Sequence, residues 1–310
     1  MKLFDLHCDT ATRLLDERVG MYDNQLHISL QRSEYLSNYA QIMAIWTNRK
    51  LTDNEGFARF FQVAENLKKE VLINQNKCAL VGNSSQLNDA WTKEIRSFIL
   101  AVEDARILAN DISRLDMLHD YGVKILTLNW SGDTCIGGAH NTHNGLTDFG
   151  VEVVKKCFEI GIIPDISHCS FKGAEMTVEL AKKYGKPIVA SHSNSYSVTP
   201  HTRNLRDGEA LDISRLSGLV GLNLCPEHLT SNKSANISDI MCHIEHYLAL
   251  GLENNLAIGG DLDGTDLPDG FDGIEDMYKI ADEMQKLNYS TELSEKILYK
   301  NALDFFKNNI

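Results

Sequence analysis

No stretch of this 310-residue sequence approaches the ~18 uncharged apolar residues that a membrane-spanning helix requires. Base is scarce relative to acid: 30 Lys and Arg stand against 43 Asp and Glu, a formal net charge of −13 with a pI near 5.3. A sequence-independent grip on phosphate needs clustered Lys and Arg, so nucleic acid and anionic membrane surfaces are excluded as main partners, and a small substrate is expected. The seven cysteines form no CxxC pair, and their odd number argues against a disulfide framework or a thiolate zinc knuckle. Reduced thiols in a cytoplasmic protein are the simpler account. Asp5 falls where a signal peptide needs its apolar stretch, so no leader is expected. There is no internal repeat, low-complexity tract or linker, and no glycine-rich phosphate turn after the first apolar run, which reads Leu6-His7-Cys8-Asp9-Thr10.

What is present is a set of short apolar runs bounded by turn residues. They predict eight strands, at 3–9, 40–47, 97–103, 123–129, 162–168, 187–192, 219–224 and 256–261. Helical periodicity fills the intervals at 152–160, 171–184 and 239–250, each followed directly by a glycine (Gly161, Gly185, Gly251) suited to the left-handed conformation that ends a helix. Strand, helix, glycine and strand in alternation is the pattern of right-handed βαβ crossovers. Eight such strands, 43% hydrophobic residues and the missing phosphate turn favour one α/β domain over 1–310, an eight-stranded (β/α)8 TIM-like barrel, over an open doubly wound sheet. A C-terminal helix at about 291–309 is expected to pack on the barrel's outside through Leu293, Ile297, Leu298, Ala302, Leu303 and Phe306. Long polar stretches at 130–149 and 193–207 follow the fourth and sixth strands and are expected to wall an active site.

The runs end on residues that bind metals. His7 and Asp9 close the first, Glu103 the third, His168 the fifth, His192 the sixth and Asp261 the eighth. A parallel barrel delivers all strand C-terminal ends to one face, so these side chains would meet there. Taken singly, each has a plainer reading: His-x-Asp as a surface pair, His168 as a cap, His192 as part of the Ser191-His192-Ser193 turn, Asp261 as a cap of its turn. Five strand ends carrying such residues together favour one site. With one His and one Asp on one side and two His on the other, Glu103 is the natural bridging carboxylate between two metals, expected to be zinc. Two cations about 3.5–4 Å apart hold a shared water and polarise a carbonyl, which suits amide hydrolysis.

The motifs carrying these residues resemble, almost end to end, those of the membrane dipeptidase family of metallopeptidases (renal dipeptidases), especially its short soluble bacterial members. They are Asp5-Leu6-His7-Cys8-Asp9, Val102-Glu103, Asp165-Ile166-Ser167-His168-Cys169-Ser170, Ser191-His192-Ser193-Asn194-Ser195-Tyr196-Ser197-Val198, Arg203-Asn204-Leu205-Arg206-Asp207 and Gly259-Gly260-Asp261-Leu262-Asp263-Gly264. The resemblance implies that His7, Asp9 and Glu103 hold one zinc and Glu103, His168 and His192 the other. It implies that Asp261 passes the proton from the bridging water to the leaving amine, while Asp263 is read as structural. Arg203 would grip the C-terminal carboxylate of a dipeptide, with Arg206 as the alternative.

The chain departs from the family at two places. Trp130 stands where the mammalian pattern has a substrate-side histidine, and Cys225 replaces an aromatic residue. His140 or His143 could supply the missing polar contact. Of the three tryptophans, only Trp130 is read as a strand-end residue able to line the pocket. The function expected is a zinc dipeptidase cleaving free dipeptides, including those with a C-terminal D-residue, and forming a homodimer whose interface the sequence does not locate. The alternatives are another binuclear amidohydrolase acting on a cyclic amide, lactone or phosphoester, or a non-catalytic member of the family.

Overall fold

Nine strands, every neighbouring pair parallel, make one sheet in the computed structural model, which describes all 310 residues. In chain order they are β1 (Lys2–Cys8), β2 (Asn38–Trp46), β3 (Cys78–Leu80), β4 (Arg96–Glu103), β5 (Ile125–Thr127), β6 (Ile163–Asp165), β7 (Val189–Ala190), β8 (Leu219–Leu222) and β9 (Leu256–Ile258). The order across the sheet is β2-β1-β9-β8-β7-β6-β5-β4-β3, and a pairing of β2 with β4 closes the ring. Eight strands therefore form the barrel. Helices supply the crossovers that parallel strands require, among them Asp53–Ile73, Asp148–Ile160, Phe171–Tyr184 and Ile237–Ala249. Gly161 and Gly185 end two of them at φ 81° and 59°, in the left-handed region where a side chain would be strained. No helix is long and apolar enough to cross a membrane.

The ninth strand, β3, is absent from the sequence reading. It pairs with the first residues of β4 on the side where β5 takes over higher up, so it fills the base of the gap between them. Three residues carry too little periodicity to announce a strand. The strands expected at 3–9, 40–47 and 97–103 form at full length or longer, whereas the other five are shorter than their apolar runs: 187–192 contracts to Val189–Ala190 because the backbone leaves the ladder to turn.

The barrel interior holds one apolar cluster to which every barrel strand contributes, including Phe4, Ile42, Ile99, Ile125, Ile163, Val189, Leu219 and Ala257. The same cluster contains Ala302, Leu303, Phe305 and Phe306, and Phe306 stacks on Phe4 with ring centroids 5.1 Å apart. The C-terminal segment therefore does not simply pack on the outside, as its stripe suggested. It runs through Thr291–Glu295 and a π-helical turn at Lys296–Lys300, whose Ile297 and Leu298 join the outer layer, and then Asn301–Asn309 plugs the N-terminal mouth of the barrel. Closing that mouth keeps the interior side chains from water, which a helix on the flank would not do.

β1 carries a further device. Asp5 pairs with Gln41 and Cys8 with Met43, so three steps on β1 oppose two on β2. This bulge resets the alternation of side chains, and His7 turns to the open end of the barrel although Phe4 and Leu6 already face the interior.

Candidate metal centre and active site

Two buried carboxylates brace the strands that carry the histidines. Asp5 Oδ1 accepts the backbone N–H of His7 at 2.9 Å, the Gln41 amide at 3.2 Å and the Gly260 N–H at 3.1 Å, tying β1 to β2 and to the chain beyond β9. Asp165 does the same across β5, β6 and β7: its oxygens accept from Thr127 Oγ1, Ser167 N, Ser191 N and Ser191 Oγ at 2.6–2.9 Å. Each brace precedes a histidine of the site in sequence. Both are wholly buried, and their hydrogen bonds offset the cost of that burial.

The structure brings His7, Asp9, Glu103, His168, His192 and Asp261 together at the C-terminal ends of the strands. Glu103 lies between two groups. Its Oε2 is 3.7 Å from His7 Nε2, whereas its Oε1 is 2.9 Å from His168 Nε2 and 3.6 Å from His192 Nε2. His7 Nε2 is also 3.7 Å from Asp9 Oδ2 and 3.8 Å from Asp261 Oδ1. Donor atoms close enough to share an ion occur as His7, Glu103 and His192, and as His7, Asp9 and Asp261.

The hydrogen bonds behind the imidazoles set which nitrogen faces the centre. His168 Nδ1 lies 3.1 Å from the Trp130 carbonyl, to which it must donate. Ser191 Oγ gives its proton to Asp165, so it accepts from His192 Nδ1 at 2.7 Å. Both Nε2 atoms are then lone pairs when the rings are neutral, and they face each other at 2.8 Å. Two lone pairs at that distance repel unless a cation lies between them. His7 Nε2 and Asp9 Oδ1 are buried with no hydrogen-bond partner, as metal ligands would be.

The electrostatics agree. Burial, followed by the Asp9 charge, pushes the Glu103 carboxyl up to about 8, and burial pushes Asp261 up to about 6. Burial and then the Arg203 charge hold His168 well below the usual histidine value, and burial and then His7 do the same to His192. At His7 burial acts downward, but Glu103, Asp9 and Asp261 together outweigh it and raise the ring well above its usual value. Three carboxylates packed with three imidazoles are held against their own repulsion, and divalent cations would reverse that penalty. The donor set fits a metal centre.

Above it lies a cavity of about 550 Å3, the scale of a small-molecule site, with Asp9, Glu103, His168 and Asp261 in its floor and Trp130, Arg203 and Cys225 in its walls. Arg203 is 5% exposed, its Nη2 donates to the His192 carbonyl at 3.3 Å, and its Nε and Nη1 have no partner in the protein. Arg206 is elsewhere. Its guanidinium lies 3.5 Å from the Phe171 ring centroid, beside a separate groove between Phe171–Tyr184 and Asp207–Arg215. Asp263 is occupied structurally, accepting from Thr10 Oγ1 at 2.5 Å and from the His27 N–H at 2.6 Å. Asp261 keeps one oxygen on the Asn223 amide at 3.1 Å and the other toward His7.

Of the two loop histidines, His140 lines the cavity and His143 lines the separate groove. The reading that only Trp130 stands at a strand end is corrected by Trp46. It is the last residue of β2, lies opposite Glu103 in register, and packs on Trp130 with centroids 5.1 Å apart. Its signal was visible, since Trp46 is the last apolar residue of the run at 40–47, directly before Thr47. His201 and His228, with rings 4.7 Å apart, also line the cavity and were missed. His228 follows β8 as His168 follows β6, but no apolar run leads directly to it. Burial and Arg203 keep His228 at about 2 and His140 at about 4, so both are neutral at physiological pH.

A family model described as membrane dipeptidase (peptidase family M19) matches residues 1–309. The chain is 28% identical over 254 residues to the "uncharacterized protein in pqqA 5'region" of Klebsiella pneumoniae, a span of 78% of this chain and 93% of that protein. Among solved structures it resembles dipeptidase AC, a metallo peptidase, with a TM-score of 0.93 at 23% identity over 100% of this chain and 98% of that one. It also resembles a metallo peptidase from Rhodobacter sphaeroides bound to a phosphinate mimic of the dipeptide L-Ala-D-Ala, with a TM-score of 0.92 at 22% identity over 100% and 99%. At these identities the structural likenesses establish the shared barrel.

Proposed function

The chain belongs to the membrane dipeptidase family, a family of metallo-dipeptidases, and from that membership we propose that it hydrolyses the single peptide bond of free dipeptides, including those with a C-terminal D-residue, using two zinc ions. Residues 1–310 act in this reading as one metallo-hydrolase domain. His7, Asp9 and Glu103 would hold one zinc, and Glu103, His168 and His192 the other. The observation that carries the reading is the division of Glu103, whose two oxygens face different imidazole groups. Such a pair of ions, when bound, would bring the pKa of a water toward neutrality and polarise the scissile carbonyl.

The chain's own residues do the rest. Arg203, in the cavity wall, keeps Nε and Nη1 without a protein partner, so its charge is available to a substrate carboxylate through charge-assisted hydrogen bonds. Asp261, held by Asn223, accepts the proton of the attacking water and returns it to the leaving amine. Trp130 borders the substrate. An acidic protein with seven unpaired cysteines suits a reducing compartment, which this reading takes to be the cytoplasm.

Metal analysis of purified protein is expected to find two zinc ions per chain, with hydrolysis of both L,L and L,D dipeptides. Turnover of lactones or phosphotriesters in place of dipeptides would move the protein to the wider amidohydrolase class, and bound metal without turnover would make it a non-catalytic member. The Arg203 assignment has a test of its own. Arg203→Ala should impair free dipeptides by about ten- to a hundredfold in kcat/KM, the worth of a lost charge-assisted pair of ~1.5–3 kcal/mol, and should affect C-terminal dipeptide amides far less. Equal losses on acids and amides would remove the carboxylate role.

A further inference from the structure

The cavity wall has two unlike sides. Trp46 ends β2, and Trp130 follows β5; their rings meet at 5.1 Å and 58°, forming one aromatic surface over the Glu103 side of the centre. Arg203 comes from the loop after β7. Around the closed barrel three strands separate β2 from β7 in either direction, β1, β9 and β8 one way and β4, β5 and β6 the other. Trp46 and the arginine loop thus stand on opposite staves with the metal-binding residues between them. The arginine side is polar, with His140, His201 and His228.

The aromatic pair is fastened in place. Arg49, three residues past Trp46, donates to the carbonyl of Ser131, the residue after Trp130. The same Nη1 lies 3.4 Å from Oδ2 of the buried Asp104, the residue after Glu103. Thr12 Oγ1 donates to the Trp46 carbonyl at 3.3 Å. One cation therefore ties both tryptophan-bearing segments to the strand end that carries Glu103.

We propose that the Trp46–Trp130 wall, clamped by Arg49, receives the side chain of the dipeptide's first residue and selects apolar side chains there. The inference rests on the dipeptidase reading with Arg203 at the terminal carboxylate. A dipeptide is short, so fixing its carboxylate on the β7 side and its only amide above Glu103 leaves its first residue directed at the opposite stave, where the tryptophans are. A leucine or phenylalanine side chain would bury its apolar area against the two rings. An aspartate side chain would lose hydration against the ring faces and face the Asp9 carboxylate, while Arg13 of the same wall is already engaged by Glu17 and the Asp263 carbonyl, so it would be disfavoured.

The test is a pair of substrate series, X-Ala and Ala-X with X = Gly, Leu, Phe or Asp, measured as kcat/KM on the zinc-loaded full-length protein. Leu-Ala and Phe-Ala are expected to exceed Gly-Ala by about tenfold or more, as expected for apolar burial in a pocket, with Asp-Ala slowest and the Ala-X series flatter. Trp46→Ala should collapse the first-position preference. Arg49→Ala should lower it in part, and Arg49→Lys should recover some of that loss. A flat X-Ala series, a preference confined to Ala-X, or a preference unchanged in Trp46→Ala would overturn the pocket while leaving the dipeptidase reading intact. Absence of hydrolysis across both wild-type series would instead overturn the dipeptidase reading, and the pocket with it. Should Trp46→Ala fail to fold, the wild-type series and the Arg49 variants still decide.

Discussion

Glu103→Ala is expected to lose most bound zinc and essentially all dipeptide hydrolysis while the barrel still folds. The reason is geometric: one side chain reaches His7 with one oxygen and the His168–His192 pair with the other, so its removal strips a ligand from both proposed ions at once. Folding should survive, because Glu103 is the last residue of β4 and burial together with Asp9 already works against its charge. Metal content by atomic spectroscopy and secondary structure by circular dichroism separate the two effects. His168→Ala supplies the contrast, since it should deplete one site more than the other. Two metals per chain retained in Glu103→Ala would end the bridging assignment.

Asp261→Asn should keep zinc and fold but slow turnover by about 10²–10⁴-fold, the usual share of general acid/base catalysis. The substitution is clean for two reasons. Asp261 sits at φ 57°, a left-handed conformation that asparagine tolerates well, and the new amide oxygen can still accept the Asn223 amide that now holds Oδ2. What it cannot do is take up and return a proton. The same carboxylate lies 3.8 Å from His7 Nε2 and belongs to a trio with His7 and Asp9 that could share an ion. Zinc loss in the variant would therefore make Asp261 a ligand, and near-normal turnover would move the proton to another group.

The strand ends could be read because a parallel strand inside a barrel is buried on both faces and so appears as an unbroken apolar run. The polar residue that stops such a run is already at the face where the loops gather. That logic pointed to His7, Glu103, His168, His192 and Asp261, and extended to the last apolar residue of a run it would also have pointed to Trp46, which ends β2. It had no means of finding His201 and His228, whose positions depend on how the loops after β7 and β8 fold back over the cavity. Nor could it choose between Arg203 and Arg206. They are three residues apart in one polar segment, and only the path of the loop sends one over the centre and the other onto Phe171.

The sequence by itself determined the alternation of strand and helix, the glycines that end the helices and the residue types that gather at one face, because these follow from local periodicity and conformational preference. Tertiary structure decided the rest. An apolar stripe specifies that a helix face is buried but not against what, so the placement of Phe306 on Phe4 at the barrel's closed mouth could not be read from the stripe. The direction of His7 depended on one extra residue in β1 relative to its neighbour, a relation between two strands 36 residues apart at the Asp5–Gln41 pair that neither strand records alone. The pairing of Trp46 with Trp130, and the arginine that holds them, likewise exist only once β2, β4 and β5 lie side by side.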